Sequence, residues 1–165
     1  MTTIAFIGLG NMGGPMAGNL VKAGHSVVGF DLSDASKAAA KEAGVAVAAD
    51  ARAAVKDADV VVTMLPAGKH VRAVWADLLG AARKGALFID SSTIDVESAR
   101  AAHTMAAAAG MASVDAPVSG GTGGAKGATL TFMCGGEAAA FETAKPVLEK
   151  MGRKIVHCGG AGAGQ

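Results

Sequence analysis

Short unbroken apolar runs alternate along this chain with Ala-rich stretches whose apolar residues recur three and four apart, the pattern of buried parallel strands separated by helices. Residues 3–7 read as the first strand. Met12, Met16, Leu20 and Val21 then form one face of a helix that Gly24 stops. Residues 26–31 read as a second strand ending in Asp31, residues 45–47 as a short third, and residues 52–56 as a small helix. Residues 59–65 form a strong buried strand, followed by a helix over about 69–79, a strand at 86–90, a helix over about 96–109 and a strand at 112–115. Beyond Asp115 the pattern changes. A Gly-rich loop over 119–127 leads to a strand at 129–134, a helix over 138–151 and a last strand at 154–157. The expected fold is α/β, a doubly wound and mostly parallel sheet with an extra αβ unit appended, all within one domain over residues 1–165.

The junction of the first strand and helix carries Gly8-Leu9-Gly10-Asn11-Met12-Gly13, a G-x-G-x-x-G run. Gly8 permits the tight turn, Gly10 lets the backbone approach a pyrophosphate, and Gly13 lets the helix pack closely on the strand. Free N–H groups at the helix start face the phosphates. A chain with 24 glycines produces accidental matches, so context has to decide. Asp31 supplies it: it ends the second strand 23 residues after Gly8, near the ~20-residue offset of a ribose-binding carboxylate. A bland alternative is an acid capping the next helix, a duty open equally to Ser33 and Asp34. The fold is therefore read as Rossmann-like. A carboxylate at Asp31 repels a 2′-phosphate and Leu32 and Ser33 offer no guanidinium, so NAD is expected over NADP. Lys37, one helical turn on, reads as a solvated side chain.

Composition narrows the classes. Hydrophobic residues make up 51% and charged residues 18%, as in a globular chain able to bury a core at 165 residues. With net charge +1, no basic run and 4% aromatics, nucleic acid is not an expected partner. No apolar stretch approaches the ~20 residues that span a bilayer, and the first strand begins at once, so no membrane partner and cytoplasmic residence are the expectations. Cys134 and Cys158 lie in apolar runs and read as buried free thiols, a disulfide between them being the minor alternative. His25, His70, His103 and His157 show no metal-ligand spacing, so no metal is expected.

Three later segments fall at strand ends, where such sheets bind ligands. Met64-Leu65-Pro66 makes a turn. Asp90-Ser91-Ser92-Thr93-Ile94-Asp95 offers hydroxyls, with Thr93 or Asp95 equally able to cap the following helix. Asp115-Ala116-Pro117-Val118-Ser119-Gly120-Gly121 supplies one hydroxyl and two open backbone N–H groups, a nest suited to a carboxylate or simply a flexible turn. With residues 6–17, Leu130-Thr131-Phe132-Met133 and Gly162-Ala163-Gly164-Gln165, these segments resemble, in order and spacing, the N-terminal part of the β-hydroxyacid dehydrogenase family.

That resemblance implies an oxidoreductase that passes a hydride from 3-hydroxyisobutyrate to NAD. Alternatives are a related small 3-hydroxyacid or semialdehyde reductase of tartronate semialdehyde or 4-hydroxybutyrate type, and a non-catalytic NAD(P)-binding interaction module. It implies that Gly8, Leu9, Gly10, Asn11, Met12, Gly13 and Asp31 hold the adenosine diphosphate half, and that Leu65, Pro66 and Thr93 line the nicotinamide side. His70 stands where relatives often have Asn, and Gly127-Ala128 where they more often have Gly before the Thr-Leu pair. Ser119, Gly120 and Gly121 would bind the carboxylate of a small substrate. The family's catalytic lysine would lie about one turn beyond Gln165, with the all-helical second domain after it. Both are absent from this sequence, which on this view binds NAD(H) with turnover near background. Family oligomers form largely through that second domain.

Overall fold

Strands that are apolar on both faces need cover on both sides, and that requirement sets the architecture. The computed structural model describes residues 2–165. β1 (Thr3–Ile7), α1 (Gly13–Lys22), β2 (Ser26–Phe30), α2 (Asp34–Glu42), β3 (Ala46–Val47), α3 (Ala51–Val55), β4 (Val60–Thr63), α4 (Gly68–Leu78), β5 (Leu87–Asp90), α5 (Val96–Ala108) and β6 (Ser113–Asp115) alternate along the chain. Their strands lie in the order β3-β2-β1-β4-β5-β6, all parallel. The order reverses between β1 and β4, where Ile4 pairs with Val60 and Ile7 with Thr63. That reversal opens a crevice at the carboxyl ends of these two strands.

The period of two along each strand divides the core into two layers. Ile4, Phe6, Val62 and Ile89 face one side, against Met16 and Leu20 of α1. Ala5, Ile7, Val61 and Phe88 face the other, against Val55 of α3 and Val71, Trp75 and Leu78 of α4. The Trp75 and Phe88 rings meet edge to face, centroids 5.2 Å apart. Helix starts follow local chemistry: Ser33, Asp50 and Asp95 each accept an N–H three residues on, capping α2, α3 and α5. Asp95 rather than Thr93 is thus the cap of α5. Observed elements agree with the expected ones to within a few residues, except that β4 stops at Thr63, leaving Met64 and Leu65 in the turn that follows.

The appended unit comprises β7 (Val118–Ser119), α6 (Gly121–Gly127), β8 (Leu130–Gly135), α7 (Ala138–Leu148) and β9 (Gly152–Gly159). β8 runs antiparallel to β6 and β7, and β9 pairs with it in parallel. Two expectations are corrected here. Residues 119–127 are not simply a loop: they end β7 and form α6. Glycine disfavours a helix, but tertiary contacts prevail. The Asn19 side chain of α1 donates to the buried Ala125 carbonyl at 2.7 Å, and Gly124 is bare enough for Leu130 to pack on it. Cys158 is exposed, because β9 is an edge strand, and of its residues only Gly152 is fully buried. Cys134 is buried, which pushes its thiol up to about 12, and both cysteines are free. No helix of the described residues is long and apolar enough to cross a membrane.

α6 ends at Ala128, a non-glycine residue in the left-handed region at φ 55° and ψ 38°. A Cβ there costs about 1–2 kcal/mol, partly offset by the chain entropy it removes from the unfolded state. Ala128→Gly is expected to stabilise the fold by about 0.5–1 kcal/mol, raising Tm by roughly 2 °C. An unchanged or lower Tm in calorimetry refutes this account of the cap.

Candidate functional site

The cleft begins where β1 ends. Gly8 turns the chain at φ +101° while its N–H donates to the Phe30 carbonyl at 3.0 Å. A Cβ at Gly8 would overlap the Met64 carbonyl oxygen, and one at Gly13 would overlap the carbonyl of Gly8. Gly10 differs from both: it is exposed, and a Cβ there would meet nothing within 4 Å. Two of the three glycines are thus required by the protein's own packing, and the third leaves backbone open. No side chain caps the start of α1; in its first turn the Gly14 N–H is bonded to the Gly10 carbonyl at 2.9 Å and Pro15 carries none, so the positive end of the helix rather than a row of free amides faces the turn.

Asp31 stands at the end of β2, half-buried. Its Oδ2 accepts the Leu9 N–H at 2.7 Å and its Oδ1 accepts the Ser33 N–H at 2.8 Å. Asp31 is therefore tied to the glycine turn itself, while Ser33 caps α2. Lys37 pairs with Asp34 at 3.2 Å and lies 5.5 Å from the centroid of the Phe30 ring; among the described residues no cation pairs with Asp31. Gly8, residues 10–13, Phe30, Asp31, Leu32, Met64, Leu65, Pro66 and His70 line one cavity of about 630 Å³. Leu32, 91% exposed, forms its outer lip. The open main chain at Gly10 fits a pyrophosphate, and the carboxylate without a neighbouring cation fits a ribose diol.

Not every expected residue gathers there. Thr93 is exposed in the β5–α5 connection, outside the cavity walls. Ser119, Gly120 and Gly121 form a separate exposed turn at the head of α6, with Gly120 at φ +134° and Gly121 at φ +63°. Their conformation needs glycine, and Ser119 is held by pairing with Thr131 of β8.

Two buried aspartates, unsuspected as organising groups, end neighbouring strands in register, Asp90 of β5 opposite Asp115 of β6. Asp90 Oδ1 accepts the Thr63 hydroxyl at 2.8 Å and the Ser92 hydroxyl at 2.7 Å, while Oδ2 has no partner. Burial outweighs these bonds and raises Asp90 to about 6. Burial acts on Asp115 too, but it loses. His103 Nε2, the Gly162 N–H and the Gly164 N–H, at 2.7, 2.9 and 2.9 Å, hold that carboxyl below its ordinary value. Ser113 Oγ lies 2.7 Å from His103 Nδ1. Gln165 completes the arrangement: its amide donates to the Ser92 carbonyl at 2.9 Å and accepts the Ile94 N–H at 3.1 Å. The visible signal was an acid closing each buried run, Phe88-Ile89-Asp90 and Ser113-Val114-Asp115.

Residues 3–160 match the family model described as the NAD binding domain of 6-phosphogluconate dehydrogenase. The chain is 58% identical over 165 residues to a probable 3-hydroxyisobutyrate dehydrogenase of Mycobacterium tuberculosis, covering all of this chain and 56% of that protein. It is 51% identical over 168 residues to an NAD-dependent L-serine dehydrogenase of Pseudomonas aeruginosa, again covering 100% and 56%. The structure of the Mycobacterium tuberculosis 3-hydroxyisobutyrate dehydrogenase with L-serine superposes with a TM-score of 0.98 at 57% identity, over 99% of this chain and 56% of that one. The chain thus spans little more than half the length of these relatives.

The Asp90 carboxyl makes stability depend on pH. Its folded value of about 6 lies above the ordinary 3.8, so the folded state holds the proton more tightly. Asp90 therefore costs nothing below about pH 4, and its cost grows to roughly 3 kcal/mol as pH rises through 6. Asp90→Asn, neutral throughout, is expected to match the parent near pH 4 and to exceed it in urea unfolding at pH 7. Parallel stability–pH curves for the two proteins rule this out.

Proposed function

The chain belongs to the family of 6-phosphogluconate and β-hydroxyacid dehydrogenases, as an NAD-binding domain, and we propose that it is the cofactor half of an NAD-dependent 3-hydroxyisobutyrate dehydrogenase. The reaction is oxidation of 3-hydroxyisobutyrate to methylmalonate semialdehyde. Residues 1–165 form one dinucleotide-binding domain, and the all-helical second domain of the family completes the enzyme. The observation that carries the cofactor assignment is the bond from the Leu9 N–H to Asp31 Oδ2, which sets a carboxylate beside the glycine turn with no cation, among the described residues, paired to it.

Bound NAD supplies the hydride acceptor. The chain's residues bind and orient. Gly8, Leu9, Gly10, Asn11, Met12 and Gly13 present backbone to the pyrophosphate, and the dipole of α1 lies behind them. Asp31 accepts the ribose hydroxyls. Leu65, Pro66 and His70, which line the same cavity, flank the nicotinamide, together with Thr93. Ser119, Gly120 and Gly121 hold the substrate carboxylate and so aim the carbinol carbon at the ring, catalysis by positioning. The proton is taken by the lysine that relatives carry past the position of Gln165.

A second reading shares this machinery. L-Serine is also a 3-hydroxy acid, with an ammonium where 3-hydroxyisobutyrate has a methyl, and the relative named for it is 51% identical. Comparing kcat/KM for the two acids in the full-length enzyme separates the readings.

Asp31→Ala is expected to weaken NAD binding by about tenfold or more, since a hydrogen bond to a charged group contributes ~1.5–3 kcal/mol. NADP binding should suffer far less, because repulsion of its 2′-phosphate is removed with the carboxylate. Isothermal titration with both cofactors decides: an unchanged affinity ratio overturns the assignment of Asp31.

A further inference from the structure

We propose that Ser92 is a positioning residue of the cofactor cleft, setting the main chain of Leu65 through a hydrogen-bond relay in which Leu65 to Ser92 and Trp75 to Thr63 both donate toward Asp90 Oδ1. The inference rests on the cofactor reading above and adds to it a residue that lines no part of the cleft. Ser92 is fully buried. Its Oγ accepts the Leu65 N–H at 2.7 Å and donates to Asp90 Oδ1 at 2.7 Å.

The direction of every bond is forced. The Trp75 indole can only donate, and it gives its proton to Thr63 Oγ1 at 3.1 Å. The Thr63 hydroxyl proton therefore goes to Asp90 Oδ1, at 2.8 Å. A carboxylate only accepts, so Ser92 must also donate to it, and the lone pairs of Ser92 are left for the Leu65 N–H, which only donates. No hydroxyl in the relay has a second rotamer that satisfies its neighbours. The main chain of Ser92 is fixed independently by the amide of Gln165.

The consequence reaches the cleft because Leu65 is its wall. The Leu65 side chain lies against the glycine turn, 3.4 Å from where a Cβ on Gly8 would sit, so a shift of its backbone moves wall and turn together. β4 itself ends at Thr63 and does not hold Leu65. Met64 is tied to the Ile7 carbonyl at 2.9 Å, and the Leu65 N–H itself is held from the β5–α5 connection, through Ser92. Since Leu65 is on the nicotinamide side, loss of the relay should be felt by that half of the cofactor and not by the adenosine half.

The experiment titrates this chain with NADH and, separately, with ADP-ribose. Ser92→Ala is expected to weaken NADH about tenfold, the effect of stranding one buried donor, and ADP-ribose less than about twofold. Thr63→Val, isosteric and at the far end of the relay, should show the same selectivity at about threefold, and serves if Ser92→Ala does not fold. The indole N–H resonance of the single tryptophan, Trp75, reports the relay directly and should move in both variants. Asp90→Asn, with Oδ1 still accepting, is expected to bind NADH like the parent and Asp90→Ala to show the Ser92→Ala loss, which distinguishes the hydrogen bonds from the charge; equal losses in the two overturn the relay. NADH binding equal to the parent in both variants, or equal losses of NADH and ADP-ribose, overturns the role of Ser92 and leaves the cofactor reading standing. Failure of the unsubstituted chain to bind NADH overturns the cofactor reading and this inference with it.

Discussion

Main chain packed against main chain is the constraint on which this molecule depends. At the reversal point of the sheet, the β1–α1 turn has space for a Cβ at neither Gly8 nor Gly13, because carbonyl groups of Met64 and of Gly8 already occupy it. Such contacts bring β1, α1 and the end of β4 closer than side chains would allow, and that closeness gives the cleft its floor. The apolar layers on either side of the sheet then clamp the strands in register, so the turn has no freedom to relax. Stability and ligand geometry are here the same set of contacts.

What the sequence disclosed follows from what leaves a local signature. β1, β4 and β5 were legible because strands buried on both faces need unbroken apolar runs, and Asp31 because its offset from Gly8 is a distance along the chain. Caps were legible as a choice among neighbours: Ser33 and Asp95 were among the candidates, and only tertiary geometry selects between Asp95 and Thr93. α6 was not legible, since seven residues rich in glycine have no intrinsic reason to be helical and are held by Asn19, more than a hundred positions away. The exposure of Cys158 depends on β9 lying at the sheet edge, a fact of topology rather than pattern.

The candidate site divides in the same way. Its glycines and Asp31 could be named from spacing, and Leu65, Pro66 and His70 from the resemblance. The bonds that Ser92 makes to Leu65, Asp90 to Thr63 and Gln165 to Ser92 could not, because each joins segments far apart in the chain. The two aspartates make the point sharply. They close similar strands and face each other in register, yet one is pushed up toward neutrality and the other held down. The difference lies in their partners. Asp115 receives two backbone N–H groups and an imidazole spread over both oxygens, whereas Asp90 receives two hydroxyls and one long N–H bond on a single oxygen and nothing on the other.

α1 touches both halves of the molecule. The glycine turn leads directly into it at Gly13, and Asn19, nearer its other end, grips the carbonyl of Ala125 in α6, whose head is the Ser119–Gly121 turn. A ten-residue helix is about 15 Å of stiff rod. The two turns are therefore mounted on a common gauge, and their separation is a property of one rigid element rather than of the loops that form them. A hinge motion elsewhere can open or shut a cleft above them without altering how far apart they stand.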